Sequence, residues 1–228
     1  ADILDGASIP GQGLYFGASG QQGWRLQFLA NGTIQAYKVT ATNCYKGRDP
    51  ASNKFTWPCL DIKTIEADAI YNMPANGFIY VEDMVWVDGI INGRATVGTA
   101  AGKSIIVNGN LTYIAKDGNH VLGLIGEKDV LVPHDSPDNL EINAAILAQK
   151  GGAKRYEYPG NKKTSLTTYG SVITAGVWTW SYVSNGGVVM NGYVNTNATY
   201  DANLTYGPPP GFPVGSEYNL ISWEEVKL

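Results

Sequence analysis

The sequence predicts an all-β fold, a β-solenoid of short stacked strands, and three observations carry that expectation. The first is composition: of 228 residues 28 are Gly and 11 are Pro, 44% are hydrophobic and only 16% charged, which describes a folded, charge-poor chain. The second is vocabulary. Gly, Asn, Thr, Val, Ile and Tyr dominate where helical bundles would need Ala, Glu, Lys and Leu in bulk. The third is a short module that recurs from about residue 62 onward. Length allows one β domain, or one domain with a small appendage.

Taken in order, residues 1–24 are Gly- and Gln-rich, and GLYFGASG holds one short strand. In RLQFLANGTIQAY, apolar residues flank Asn31-Gly32, a pair that supplies the positive φ angles of a two-residue type I′ hairpin turn. Cys44 and Cys59, the only cysteines, follow in NCYKGRDPASNKFTWPC. A disulfide is the leading reading, and it implies an oxidising compartment outside the cytoplasm. Two unpaired buried thiols and a metal site are the alternatives. The metal reading lacks partners, because the two histidines, His120 and His134, lie far along the chain. Residues 1–60 thus form an amino-terminal β region with a hairpin and a disulfide loop, and residues 61–228 form the solenoid domain.

The module appears as IKTIEADAI from Ile62, IYVEDMVWV from Ile79, IIVNGNLTY from Ile105, LIGEKDVLV from Leu124, LEINAAILA from Leu140 and SLTTYGSVI from Ser165. Each window is apolar near both ends and small or polar in the middle, which reads as strand, tight bend, strand. A unit of that size buries its apolar face only by stacking on its neighbours. The mid-window residues Ala67, Asn108, Gly109, Asn143, Ala144 and Gly170 read as corners of a coil and favour the solenoid over a β-sandwich. NLEINAAILAQKGG also fits a helix with a Gly-Gly stop, but its alternation and the repeat decide for a strand. VWTWSYV then places Trp178, Trp180 and Tyr182 on one face of a strand. The tract Tyr206 to Pro213, with three successive prolines, runs along the outside as polyproline II or caps the end of the stack, and LISWEEVKL closes the chain.

The net charge of −4 excludes a uniformly basic nucleic-acid binder. No apolar run reaches the roughly 18 residues that span a bilayer. Ala1 opens neither a signal peptide nor an anchor, so the sequence reads as a mature or trimmed soluble portion without membrane contact of its own. No catalytic constellation is legible. The acidic pairs Glu66 with Asp68, Glu82 with Asp83 and Asp135 with Asp138 read as surface acids. His134-Asp135-Ser136 holds the residue types of a triad, but triads assemble from separated segments. Asp135, Asp138 and Asn139 lack the ligand spacing of a calcium loop. No cofactor, metal site or enzymatic activity is expected.

Two local basic features stand out: Lys150, Lys154, Arg155, Lys162 and Lys163 lie within 14 residues, and the cysteine loop carries Lys46, Arg48 and Lys54. Tyr156 and Tyr158, interleaved with these cations, suit base stacking beside phosphate contacts. Trp178, Trp180 and Tyr182 are the corresponding candidates for a glycan, with packing against the carboxyl-terminal cap as the leading alternative. Asn-x-Thr triplets at Asn31, Asn110, Asn197 and Asn203 read mainly as turns.

The ordered run from GFIYVEDMVWVDG to HVLGLIGEKDVLVP, then NLEINAAILAQKGG, LTTYGSVIT, YDANLTYGPPPGFP and SWEEV, resembles the β-solenoid region of bacterial type IV pilus-associated, minor-pilin-like proteins. The motifs that carry the likeness are Asn92 to Val97, Val121 to Ile125, Ala144 to Gln149, and Tyr200-Asp201 before the proline tract. Competence-associated tip pilins are closest in layout. The resemblance implies a non-enzymatic extracellular module at the pilus or cell surface, with other pilin subunits as partners and DNA or surface glycans as ligands. It brings no catalytic residues, and it implies an apolar anchor helix that residues 1–228 do not contain. A self-assembling structural solenoid and a polysaccharide-cleaving solenoid enzyme are the alternatives from other classes.

Overall fold

A computed structural model describes residues 3–213. LISWEEVKL lies outside the described residues. A five-residue helix, α1 (Ile3–Ala7), precedes β1 (Leu14–Phe16), β2 (Gly23–Phe28) and β3 (Thr33–Asn43). The cysteine loop forms a small hairpin of β4 (Gly47–Asp49) and β5 (Lys54–Thr56), followed by β6 (Asp61–Asn72). Next come β7 (Phe78–Val81), β8 (Val85–Ile91), β9 (Arg94–Thr99), β10 (Ile105–Tyr113), β11 (Val121–Gly126), β12 (Val130–Val132) and β13 (Asn139–Ala148). The chain continues through β14 (Ala153–Arg155), β15 (Lys162–Thr174), β16 (Trp178–Thr179), β17 (Ser181–Val183) and β18 (Val189–Tyr200).

The all-β class stands, but the solenoid of stacked coils is corrected. Sixteen of these strands belong to one mixed, mostly parallel sheet, and it curls through 277° into a half-barrel. Its order runs β1-β7-β9-β11-β13-β10-β8-β2-β3-β6, with β12, β14, β15, β16, β17 and β18 branching from that path. IKTIEADAI is β6, the outermost strand, antiparallel to β3, and not a coil. Nor do Asn143, Ala144 and Gly170 turn corners between strands. Asn143 and Ala144 lie inside the continuous β13, opposite Tyr169 and Gly170 of β15.

Glycine supplies the curl from within the strands. Gly89 of β8 and Gly170 of β15 hold φ of +113° and +148°, which side chains rarely adopt. A Cβ would lie 2.1 Å from the Phe28 carbonyl oxygen at the first position and 1.9 Å from that of Ala144 at the second. Both strands bend where a neighbouring backbone comes too close for any side chain.

The β2–β3 hairpin forms where Asn31-Gly32 places it. Its turn differs: Leu29 N–H bonds Thr33 and Gly32 N–H bonds Leu29, with only Gly32 at positive φ. That is a type I turn closed by a glycine bulge, not a type I′ turn.

Two cores hold the sheet. The main one is built from residues such as Leu26, Val87, Val97, Leu111, Leu124, Ile146 and Leu166. A smaller one, on the opposite face of β8 and β10, packs Val39, Leu60, Trp86, Ile106 and Leu131, and the Trp86 indole N–H donates to the Leu60 carbonyl at 2.6 Å. Strands β9, β11 and β13 are buried almost throughout, because their outer face is covered as well. There Thr96, Gly123, Ala145 and Ser171 stand in register across four strands as a row of small residues. The tract Pro208 to Phe212 lies across this furrow. A Cβ on Gly123 would meet Phe212 and Pro209 at 3.0 Å. The proline tract therefore runs along the outside of the sheet.

Candidate functional site

Cys44 and Cys59 are joined in a disulfide, the bond of a non-reducing compartment. No helix among the described residues is long and apolar enough to cross a membrane.

The bridge draws the cysteine loop onto the segment around β14. Arg48 and Glu157 exchange backbone hydrogen bonds at 3.0 Å and pair through their side chains. Tyr45 stacks on His134 with ring centroids 3.8 Å apart and donates from its hydroxyl to Asp135 at 3.0 Å. Lys154 is buried between Asp49 at 3.0 Å and Asp129 at 3.5 Å. Burial pulls its ammonium down, but the bond to Asp49 and the two carboxylate charges outweigh that and raise it.

The two basic segments thus meet, and Arg48–Glu157 and Lys154–Asp49 pair across the contact. Arg155 is fully buried, its Nη2 donating to the His134 carbonyl and to Asn161 Oδ1 at 2.6 Å. Its guanidinium lies 4.9 Å from the Tyr158 ring and 5.8 Å from the Tyr193 ring. Burial lowers the Arg155 guanidinium and drives the hydroxyl of Tyr193 up to about 12 and that of Tyr158 still higher. Lys150 pairs with Glu127, and Lys163 with Asp138 at 3.4 Å. Lys162, Lys46 and Lys54 remain exposed. Tyr158 is buried and Tyr156 half-buried, so neither is a free stacking platform.

What the sequence left unread is the returning arm of the disulfide loop. Phe55 and Trp57 are 56% and 66% exposed, beside the exposed Lys54 and with Lys46 5.0 Å above the Phe55 ring. The alternation in KFTW was the available signal.

The acids and the histidine have structural partners. Glu82 accepts from Ala18 N–H at 2.9 Å and from the Tyr15 hydroxyl, and Asp83 accepts from Ser19 N–H at 2.6 Å. His134 Nδ1 lies 2.6 Å from Asp135, but Nε2 faces Asn161, and Ser136 Oγ accepts from Tyr193. No group of three or more His, Cys, Asp or Glu among the described residues is arranged to hold a metal ion.

The strand expected to carry Trp178, Trp180 and Tyr182 on one face is interrupted at Trp180, between β16 and β17. Tyr182 donates to the Arg155 carbonyl at 2.6 Å. Trp180 is buried, and its indole N–H has no partner among the described residues. Trp178 is 50% exposed. Both tryptophans wall a groove of about 280 Å³ whose other side is Leu166 and Thr168 of β15 with Thr196 and Asn197 of β18. A second depression of about 360 Å³ shares Trp178, Thr168 and Ala198 with it. No charged side chain among the described residues lines either. The groove therefore offers an aromatic face, hydroxyls and an amide.

No family model, no curated protein and no solved structure matches the chain.

Proposed function

We propose that this chain is a non-enzymatic recognition module displayed outside the cytoplasm, and that its ligand is a neutral glycan bound at Trp178. The observation that supports this reading is the uncharged groove in which a half-exposed Trp178 faces Thr168, Thr196 and Asn197. A tryptophan face receives the apolar side of a sugar ring, while hydroxyl and amide groups meet its rim. The disulfide supports the compartment. The pilus setting, with other pilin subunits as partners, rests on the sequence resemblance.

A glycan array followed by calorimetric titration of the best neutral oligosaccharide tests the reading. Trp178→Ala is expected to weaken binding at least tenfold, and Trp57→Ala to leave it unchanged. A silent array, or equal binding by Trp178→Ala, overturns it.

Capture of single-stranded DNA is the second reading, supported by the exposed Phe55 and Trp57 beside Lys46 and Lys54 on a covalently closed hairpin. With these two exposed cations, the slope of log K against log salt would be only about −1.4. Fluorescence anisotropy with a labelled oligonucleotide measures it. No binding at low salt removes this reading.

A further inference from the structure

Among the described residues, strand β18 is an unguarded sheet edge. It pairs with β15 along one side as far as Tyr200, while β17 covers only its first residues, Val189 to Gly192, on the other. The last backbone bond on that second side runs from Tyr193 N–H to the Trp180 carbonyl. Beyond it, among the described residues, Val194 to Tyr200 show one side of their backbone to solvent, and all seven residues are exposed.

Edges of this kind are normally blocked by charge, proline, a bulge or brevity. The other long outer strand follows the rule: β6 carries Lys63, Glu66 and Asp68. Leu14–Phe16, the strand at the far end of the order, has only three residues. Val194–Tyr200 has none of these protections, and its sequence VNTNATY contains no charge and no proline.

We propose that two copies of this chain pair antiparallel along Val194–Tyr200 about a two-fold axis through Asn197. The sequence complements its own reversal in that register. Val194 meets Tyr200, a β-branched side chain against an aromatic ring; Asn195 meets Thr199, amide to hydroxyl; Thr196 meets Ala198; and Asn197 meets itself. The same operation on β6 about Glu66 sets like charges opposite each other. An isologous contact is closed, so it yields a dimer and not a fibre. Because Thr196 and Asn197 also line the Trp178 groove, pairing sets two grooves side by side across the axis.

Sedimentation equilibrium of the full chain tests this independently of any glycan. The mass is expected to rise with concentration from 24.5 kDa toward twice that value. Asn197→Lys and Asn197→Asp should each remain monomeric, since like charges meet on the axis, and an equimolar mixture should recover the dimer. A second set uses the flanking pair. Asn195→Lys with Thr199→Lys should dissociate, whereas Asn195→Asp with Thr199→Lys should associate. Circular dichroism of each variant checks that it folds as the parent does. A parent that stays monomeric up to millimolar concentration, a mass that climbs past the dimer, or a mixture that fails to associate overturns the proposal.

Discussion

Arg94 and Pro208 are 114 residues apart in sequence and are joined by a 2.7 Å hydrogen bond from guanidinium Nη2 to the proline carbonyl. The same nitrogen donates to Gly207 at 2.9 Å, Nη1 donates to Gly118 at 2.6 Å, and Thr96 Oγ1 reaches the Pro210 carbonyl at 2.6 Å. A run of prolines has no N–H to offer, so only its carbonyls can fasten it to the sheet, and a side chain rich in donors is the natural clasp. Arg94→Ala is expected to lower the unfolding free energy by about 2 kcal/mol and to open residues 207–213 to proteases. Arg94→Lys restores only part of this, because an ammonium cannot reproduce the fork. Urea midpoints and limited proteolysis measure both, and an unchanged Arg94→Ala would show that the tract is held by packing alone.

The curl of the sheet gives a sharper test. Gly170→Ala and Gly89→Ala each push a methyl group into a neighbouring backbone at positive φ, and each should cost more than about 3 kcal/mol or prevent folding. Gly109 is the internal control. It lies in β10, its nearest neighbour to a built Cβ is Asp88 at 3.4 Å, and it is not at positive φ. Gly109→Ala should stay within about 1 kcal/mol of the parent. Equal melting temperatures for all three would refute the kink account.

These two relationships also mark what was legible in the sequence. The disulfide was readable because only one pairing of two cysteines exists, and the hairpin because Asn-Gly interrupts apolar residues. The curl was not, because a glycine that bends a strand and a glycine that turns a corner look alike in one dimension, as Gly170 shows. The fate of the cations was equally hidden: Lys154 finds Asp49 from 105 residues away, and no local window contains both. Trp178 as a groove residue was partly visible in VWTWSYV, but the break at Trp180 that separates the three aromatics depends on the pairing of β16 and β17 with different strands.

Replacing both cysteines by serine should reduce stability by about 3 kcal/mol, the chain-entropy value for a loop of this length. The effect should be local as well. The loop carries Tyr45, Arg48 and Asp49, whose partners are His134, Glu157 and Lys154. Hydrogen exchange is therefore expected to rise around residues 153–158 before it rises in β11 or β13. Reductant added to the parent should move the urea midpoint in the same direction. No change under reduction would mean that packing around the loop, and not the bridge, holds it in place.

Acid should weaken the same contact for a different reason. Burial alone would raise the Asp49 carboxyl, but the hydrogen bond from Lys154, the Ala51 N–H and the Lys154 charge outweigh it and hold it below the usual carboxylate range. A carboxyl lowered on folding contributes stability that is present above its unfolded pKa and is lost as the pH falls through its folded value. Lys154 is raised, so its share persists through neutral pH and disappears only as the pH rises through that raised value. Asp61 works in the opposite direction, because burial raises its carboxyl and protonation favours the folded chain. Stability should therefore stay level from about pH 5 to pH 9 and decline below about pH 4. Asp49→Asn should lower the neutral plateau by about 2 kcal/mol, since Lys154 keeps only the longer contact with Asp129, and should make the acid decline shallower. If the decline is as steep in Asp49→Asn as in the parent, the acid-sensitive groups are instead Glu127, Asp117 and Asp135, whose carboxyls are also held low.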